Sequence, residues 1–174
     1  MKRLCKILVF ALLFSAIARS ESYGQAVADS VCRESVVNFV EQLQRAYHTY
    51  DIGFLEKVYD VSAKTVLKVG ETAMLLEPAQ DSPQLRDHSR FITHAFKNST
   101  QPPNAAVEDV QMVRHPDDIE FENFYMISFV VNVECGNYQD VMPFYMVWKF
   151  LDEHKIHVLF RAAQESLFLE DFEF

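Results

Sequence analysis

Glycine is scarce in this chain, with four residues among 174. A phosphate-binding loop relies on clustered glycines that expose backbone N–H groups, so a nucleotide site of that type is excluded. The nucleophile motif G-x-S-x-G is also absent, and the six histidines lack the HxH and HxxxH spacings that are typical of metal sites. We therefore predict no cofactor and no metal site.

Basic residues are outnumbered, since 16 Lys and Arg stand against 25 Asp and Glu, for a net charge of −9. Residues 1–24, which are interpreted below as a leader, carry four basic residues and one acidic residue. Their removal leaves 12 basic and 24 acidic residues and changes the net charge to −12. A chain this acidic, without a basic patch, is a poor partner for nucleic acids or anionic lipids. We predict no nucleic-acid partner.

Long hydrophobic runs are absent outside the N-terminus. Three basic residues precede an apolar run at residues 7–18, and small residues follow it. This is the order of a signal peptide, and the run is shorter than the roughly 20 residues of a membrane-spanning helix. We predict a signal peptide at residues 1–24, cleaved between residues 20 and 26. The mature chain, residues 25–174, is then a single exported domain, periplasmic or extracellular, without a transmembrane segment.

Cysteine is rare as well. Of three cysteines, Cys5 lies in the leader, and Cys32 and Cys135 remain after cleavage. In an oxidising compartment such a pair suggests a disulfide, which would tie the first helix to the end of a central strand. The alternative is two separate, partly buried thiols. The sequence leaves both open, because a bridge needs Cα atoms within about 7 Å of each other.

The strongest pattern lies in the C-terminal part of the chain. Residues 121–134 and 138–151 are rich in β-branched and aromatic side chains, and Gly136 between them fits the first position of a type II′ turn. With a third strand at residues 156–161, they predict an antiparallel meander. Because Pro143 cannot donate to a strand ladder, we expect a bulge or an unpaired edge there.

The alternation inside this meander leaves apolar residues on both faces. The even positions of the second strand form an unbroken apolar row: Met142, Phe144, Met146, Trp148 and Phe150. The odd positions of the first strand are apolar too, yet Met126 and Val130 populate its other face. A sheet with one wet face alternates apolar and polar residues. We therefore expect helices to cover one face and a subunit interface or a ligand to cover the other.

Three helices are predicted before the meander. They lie at residues 29–50, at residues 52–59 with Asp51 as the N-cap, and from Ser82-Pro83 to Asn98. Two further strands are predicted at residues 63–69 and 106–114. The predicted fold class is α+β, with three N-terminal helices packed on a curved, mostly antiparallel sheet.

A short motif joins the first two helices to the first strand. It reads Tyr50-Asp51-Ile52-Gly53-Phe54-Leu55, then Val58-Tyr59-Asp60, Ala63 and Gly70. This motif resembles the nuclear-transport-factor-2-like superfamily, which has a cystatin-like fold. The resemblance implies a cone-shaped sheet with a half-pocket between sheet and helices, and dimers that form through the outer face of the sheet. Exported members without a recognisable catalytic set are the most similar.

The candidate catalytic residues are His88 and Asp51, because acid–base members of that superfamily use His and Asp in the pocket. Asp87 is not a partner for His88, since adjacent helical residues point about 100° apart. The predicted lining of the half-pocket comprises Tyr47, His88, Ile92, Met142, Phe144, Met146 and Trp148. For the row of the second strand, the alternative is simple core packing.

Two functions fit these residues. The favoured one is an exported, non-catalytic binding or interaction module that forms a homodimer through its sheet, with a small apolar ligand or a protein as a further partner. The alternative is a small lyase or isomerase that acts on an apolar substrate in the half-pocket, with His88 and Asp51 as its acid–base residues.

Overall fold

The fold was analysed in a computed structural model, which describes the backbone of residues 2–79, 82–115 and 123–163 and the side chains from residue 24 onward. The helices are α1 (Lys2–His48), α2 (Ile52–Tyr59) and α3 (Pro83–Asn98). The strands are β1 (Thr65–Val69), β2 (Thr72–Leu76), β3 (Asn104–Arg114), β4 (Phe124–Cys135), β5 (Tyr138–Asp152) and β6 (Lys155–Ala162). The predicted α+β class is confirmed.

The six strands of the described chain form one open sheet in the order β1-β2-β6-β5-β4-β3. Every neighbouring pair is antiparallel except β2 and β6, which run parallel. The predicted meander is therefore confirmed as β4, β5 and β6, and β3 extends it as an edge strand. The short hairpin of β1 and β2 joins the sheet through β6, and α3 connects that hairpin to β3.

The turn between β4 and β5 has the predicted geometry. Gly136 has a φ of +64°, whereas Asn137 is not among the residues with positive φ. A positive φ at the first central position alone is the signature of a type II′ turn. Pro143 lies opposite Val130 without a register shift, while the ladder between β5 and β6 reaches only to Tyr145. The bulge alternative at Pro143 is therefore wrong for the β4 side.

The core lies between the helices and one face of the sheet, which we call the inner face. The inward rows of β4 and β5 alternate as predicted, and each of the following side chains is at most 3% exposed: Tyr125, Ile127, Phe129, Val131, Val133, Met142, Phe144, Met146 and Trp148. Phe39 of α1 packs on this layer, with its ring centroid 6.1 Å from that of Phe129 and 6.3 Å from that of Trp148.

Both predicted helix starts are correct. The Asp51 side chain accepts a hydrogen bond from the Phe54 N–H at 3.0 Å, as expected of an N-cap. Ser82 is the N-cap residue of α3, but its side chain makes no capping bond. The Ser82 hydroxyl instead accepts the N–H of Ala163 at 3.2 Å. This contact ties the start of α3 to the end of β6.

The first helix is longer than predicted. It runs from Lys2 to His48, because residues 19–28 contain one glycine and no proline and nothing there ends a helix. Cleavage within residues 20–26 stays a prediction. Residues 116–122, at the predicted entry to the meander, and residues 164–174 lie outside the described part of the chain.

Cys32 and Cys135 are both free and buried, so the structure has the two separate thiols rather than the disulfide. The sheet gives the physical reason. Cys32 interacts electrostatically with Tyr125 at one end of β4, and Cys135 is the last residue of that strand. At about 3.3 Å per residue, the two ends of β4 are on the order of 30 Å apart.

No helix within the described residues is both long and apolar enough to cross a membrane.

Candidate functional site

The candidate site is centred on His88, which lies on the face of α3 that packs against the core. Leu85, His88, Ile92 and Ala95 recur at helical spacing and form the buried face of α3. His88 is 2% exposed, so its ring nitrogens must find partners inside the protein.

Both nitrogens of His88 have such partners. Nδ1 lies 2.5 Å from Oδ2 of Asp140 on β5, and Nε2 lies 2.7 Å from the hydroxyl of Tyr47 on α1. The Tyr47 hydroxyl is also 2.6 Å from the hydroxyl of Tyr59 on α2. These four side chains, which we call the His88 chain, join three helices to the sheet through one line of hydrogen bonds.

The donors and acceptors of the His88 chain balance when the imidazole is neutral. Tyr59 then donates to Tyr47, Tyr47 donates to Nε2 of His88, and Nδ1–H donates to the Asp140 carboxylate. If Nε2 carried a proton as well, Tyr47 would donate to Tyr59. The Tyr59 hydroxyl hydrogen would then have no acceptor among the described residues. The neutral arrangement leaves no buried donor unpaired.

Burial and hydrogen bonding shift the titration of the chain in opposite directions at its two ends. Burial is the main cause that raises the pKa of Tyr47 and of Tyr59, so both hydroxyls stay protonated. The hydrogen bond from His88 is the main cause that lowers the pKa of Asp140 below its usual value. The chain therefore runs from two protonated phenols in the core to an ionised carboxylate near the surface.

A cleft opens beside this carboxylate between α3 and β5. Its volume is about 330 Å³, near the lower end of the range for small-molecule sites. The lining side chains are Gln84, Asp87, His88, Phe91, Asp140, Val141, Met142, Pro143 and Ala163. The Asp140 side chain is 35% exposed, whereas that of His88 is 1% exposed. The cleft thus meets the acidic end of the His88 chain.

The orientation of His88 limits what the site can do chemically. A general base needs a free nitrogen within hydrogen-bond reach of a substrate proton. Nε2 of His88 instead faces Tyr47, which is fully buried. Asp140 is accessible, but its lowered pKa makes it a weak base at neutral pH. The geometry is that of a hydrogen-bonded structural contact between the helices and the sheet, with one accessible carboxylate.

The predicted catalytic pair does not come together. Asp51 is exposed at the start of α2 and bonds the Phe54 N–H, while both nitrogens of His88 are taken by Tyr47 and Asp140. As the sequence analysis predicted, Asp87 is not a hydrogen-bond partner of His88. Its carboxylate lies 3.5 Å from Arg90, and both side chains are largely exposed.

The predicted pocket lining is divided between cleft and core. His88 and Met142 line the cleft. The remaining predicted residues belong to the buried core cluster: Tyr47, Ile92, Phe144, Met146 and Trp148. For most of the inward row of β5, core packing is therefore the correct interpretation, because these side chains fill the space beneath the helices.

Asp140 and Tyr59 are the members of the His88 chain that the sequence-based candidates missed. For Asp140, the signal in the sequence is the alternation of inward and outward side chains along β5. Asp140 occupies the even position before Met142, so it extends the apolar inward row by one residue. A carboxylate on an inward-facing row needs a buried partner, and that requirement could have drawn attention to it.

Arg161 was also not anticipated as a buried residue. It follows the inward-facing Ile156 and Val158 at an odd position, which predicts an outward side chain. The register shifts between Val147 and Trp148, so β6 carries one extra residue there. Such a bulge reverses the alternation, and Arg161 is fully buried.

The comparisons with known proteins add no relatives to this description. Among the residues that the structure describes, no group of three or more His, Cys, Asp and Glu side chains is placed to hold a metal ion. No protein-family model, curated protein or solved structure matches this chain.

Proposed function

We propose that the protein is an exported, non-catalytic interaction module that self-associates through the outer face of its sheet. One observation carries this proposal. Opposite the helices, apolar side chains of adjacent strands form a surface that is half-buried in the monomer, except that Val113 is 38% exposed, and on β4 it is interrupted by Ser128. We call it the outer patch, and it consists of Val113, Met126, Val130, Tyr145, Val147 and Phe160. An apolar surface of this kind favours a protein partner.

The edges of the sheet are poorer surfaces for association than its face. β1 has only five residues, and β3 is interrupted by a register shift after Glu108, where Asp109 has a φ of +52°. Short edge strands and bulges with charged residues block the addition of further strands. Two sheets can instead pack face to face about 10 Å apart, with their side chains interleaved.

Charge complementarity favours a second copy of this chain as the partner. Lys149 borders the outer patch at one end, where its ammonium lies 5.2 Å from the centroid of the Phe124 ring. Glu108, opposite Val130, borders it nearer the other end. A second copy related by a twofold axis would set the Lys149 end of one patch against the Glu108 end of the other.

We also propose that the chain is an exported member of the nuclear-transport-factor-2-like superfamily, with a conical half-pocket. The support is the element order, in which a helix pair, a hairpin and a third helix precede a four-stranded meander. Several motif residues support this proposal, although Ala63 lies before the start of β1 at Thr65. Asp51 caps α2, Leu55 and Val58 are buried, and Gly70 ends β1 with a φ of +62°.

Export rests on the N-terminal sequence. After expression in a host with a general secretory pathway, mass spectrometry of the secreted chain should give an N-terminus between residues 20 and 26. Retention of residues 1–19 in a protein that remains inside the cell would contradict export.

Self-association is tested with Val147→Lys at the centre of the outer patch. Burying an unpaired ammonium is strongly unfavourable, so size-exclusion chromatography with light scattering should show a dimer for the wild type and a monomer for the variant. Val37→Lys is the matched control, because Val37 is 52% exposed on α1 and outside the patch. Met126→Lys, opposite Val147, repeats the test if Val147→Lys fails to fold. A wild-type monomer, or a dimer in both folded patch variants, would contradict the proposal.

A second candidate function is a small lyase or isomerase. The observation that favours it is the half-exposed Asp140 carboxylate at the cleft, with the His88 ring directly behind it. His88→Gln separates the two functions. If the residue has no catalytic role, the variant should lose thermal stability only, whereas an enzyme would lose turnover even where the fold is intact.

A further inference from the structure

The cleft between α3 and β5 is lined by none of the outer-patch residues, although Pro143 in its lining lies opposite Val130 of that patch. We propose that the cleft binds a small organic cation, an amine joined to a compact aromatic or aliphatic body. This inference stands on the walls of the cleft alone, and it does not depend on the oligomeric state.

The charges that line the cleft are negative. The carboxylate of Asp87, which lies 3.5 Å from the guanidinium of Arg90, comes from α3 and that of Asp140 from β5, and the lining residues that the structure describes include no Lys or Arg. Among the described lining residues, His88 is the one histidine, and it directs Nδ1 to Asp140 and Nε2 to Tyr47. The two carboxylates would repel an anionic ligand.

Apart from Gln84, the remaining lining residues are apolar and suit the body of an amine. Phe91 stacks on the His88 ring, with centroids 6.1 Å apart and an interplanar angle of 25°. Val141, which is 56% exposed, and Pro143 line the side that β5 contributes. An aromatic face beside two carboxylates attracts a cation both through its quadrupole and through the nearby charges.

The donor set fits an organic cation better than a metal ion. Within the described part of the chain, two carboxylates line the cleft, one on each wall. Asp140 already uses Oδ2 for His88 and Oδ1 for the Val141 N–H. A hard divalent cation needs about six oxygen ligands, whereas an ammonium needs up to three acceptors and leaves its body to the apolar wall.

The probes are three ligands of similar shape and different charge: benzylamine, benzyl alcohol and benzoate. Each is titrated into the ¹⁵N-labelled mature chain and followed by amide chemical shifts. We expect benzylamine to shift amides of residues 84–91 and 140–142 and to bind at least about tenfold more tightly than benzyl alcohol. Benzoate should shift none of them. Equal binding of benzylamine and the alcohol, or amine-induced shifts spread over other acidic surfaces, would overturn the proposal.

Two variants localise the charge effect. Asp87→Asn removes an exposed carboxylate outside the His88 chain and should weaken benzylamine about threefold without changing stability. Asp140→Asn should weaken it at least about tenfold, and its fold is checked by circular dichroism. Glu41→Gln removes an exposed carboxylate from α1 and should leave binding unchanged. If all three variants bind benzylamine like the wild type, the site is not this cleft.

Discussion

At the scale of single residues, the His88 chain explains why the polar groups of Tyr47, Tyr59 and His88 are tolerated inside the fold. Each inward hydroxyl and ring nitrogen has a partner within 2.7 Å. Buried polar groups destabilise a protein mainly when one partner is removed and the other is left unpaired. The order of donors along the chain therefore predicts which truncation is the most harmful.

Tyr47→Phe should lower the free energy of unfolding more than Tyr59→Phe does. Tyr47→Phe leaves the Tyr59 hydroxyl and Nε2 of His88 both unpaired and should lower the free energy of unfolding by about 2–3 kcal/mol. Tyr59→Phe removes only the terminal donor and should cost about 1 kcal/mol. Urea denaturation measures both, with Tyr138→Phe as the control, expected within about 0.5 kcal/mol of wild type. Equal costs for the two core variants would contradict the assigned direction.

The Asp140 carboxylate should also make stability depend on pH. Its folded-state pKa is lowered, chiefly by the hydrogen bond from His88. Its contribution is therefore present above the unfolded pKa, near 3.9, and is lost as the pH falls through the folded value. Asp60 and Glu77 have lowered pKa values too, so the wild type alone cannot isolate Asp140.

The comparison of wild type with Asp140→Asn isolates this group. The difference in free energy of unfolding between them should be largest near neutral pH and shrink below pH 4, because the protonated wild-type carboxyl then resembles the amide. Urea denaturation from pH 7 to pH 3 measures it. A constant difference over that range would show that Asp140 does not titrate against His88 in the way described.

At the scale of elements, the Arg161 side chain connects β6 by hydrogen bonds to the end of α2 and to the residue after β2. Its guanidinium donates to the Asp60 and Glu77 carbonyls at 2.8 Å each and to the Val58 carbonyl. Burial is the main cause that lowers the pKa of Arg161, to about 10. The planar fork of donors reaches carbonyls from two elements at once, which a lysine ammonium cannot reproduce.

Arg161→Lys should therefore destabilise the protein. The substitution leaves buried carbonyls without donors and should lower the free energy of unfolding by about 2–4 kcal/mol. Urea denaturation at neutral pH measures the loss. Arg90→Lys is the matched control, because the Arg90 side chain is 80% exposed. A loss below 1 kcal/mol for Arg161→Lys would show that water or other groups replace the guanidinium easily.

Local signals in the sequence were sufficient for most elements. Asp51 and the Ser82-Pro83 pair mark helix starts through nearby backbone chemistry, and Gly136 marks its turn because only a positive φ fits there. The strand period likewise identified the inward row of β5. These features depend on residues close together in the chain, which a single sequence displays.

The candidate site was less predictable, because its contacts are distant in the chain. His88 bonds Tyr47 and Asp140 across 41 and 52 residues, and no local pattern specifies such pairs. Asp51 looked equally suitable as a partner until the fold separated it from His88. Arg161 was missed because one bulge in β6 reversed the side-chain alternation, and bulges leave little trace in composition.

At the scale of the whole molecule, the helices cover one face of the sheet and leave the other half-exposed. The chain has a net charge of −9, so two copies repel each other at long range. Association then depends on the apolar outer patch and on the Lys149 and Glu108 charges at its borders. A charge exchange tests whether the two copies meet in the twofold arrangement.

Lys149→Glu should weaken the dimer, because it places two acidic side chains opposite each other across the interface. Adding Glu108→Lys in the same chain restores the opposite charges and should recover most of the lost affinity. Analytical ultracentrifugation at low salt measures both, with effects on the order of 1 kcal/mol per charge pair. Failure of the double variant to recover would contradict the twofold pairing of these residues.

The central claim is self-association through the outer patch, and native mass spectrometry of the mature chain, purified without refolding, tests it most directly. We expect a dimer mass for the wild type and a monomer mass for Val147→Lys, with no covalent addition in either. A wild-type chain that appears only as a monomer across micromolar concentrations would contradict the account and leave the outer patch without a partner.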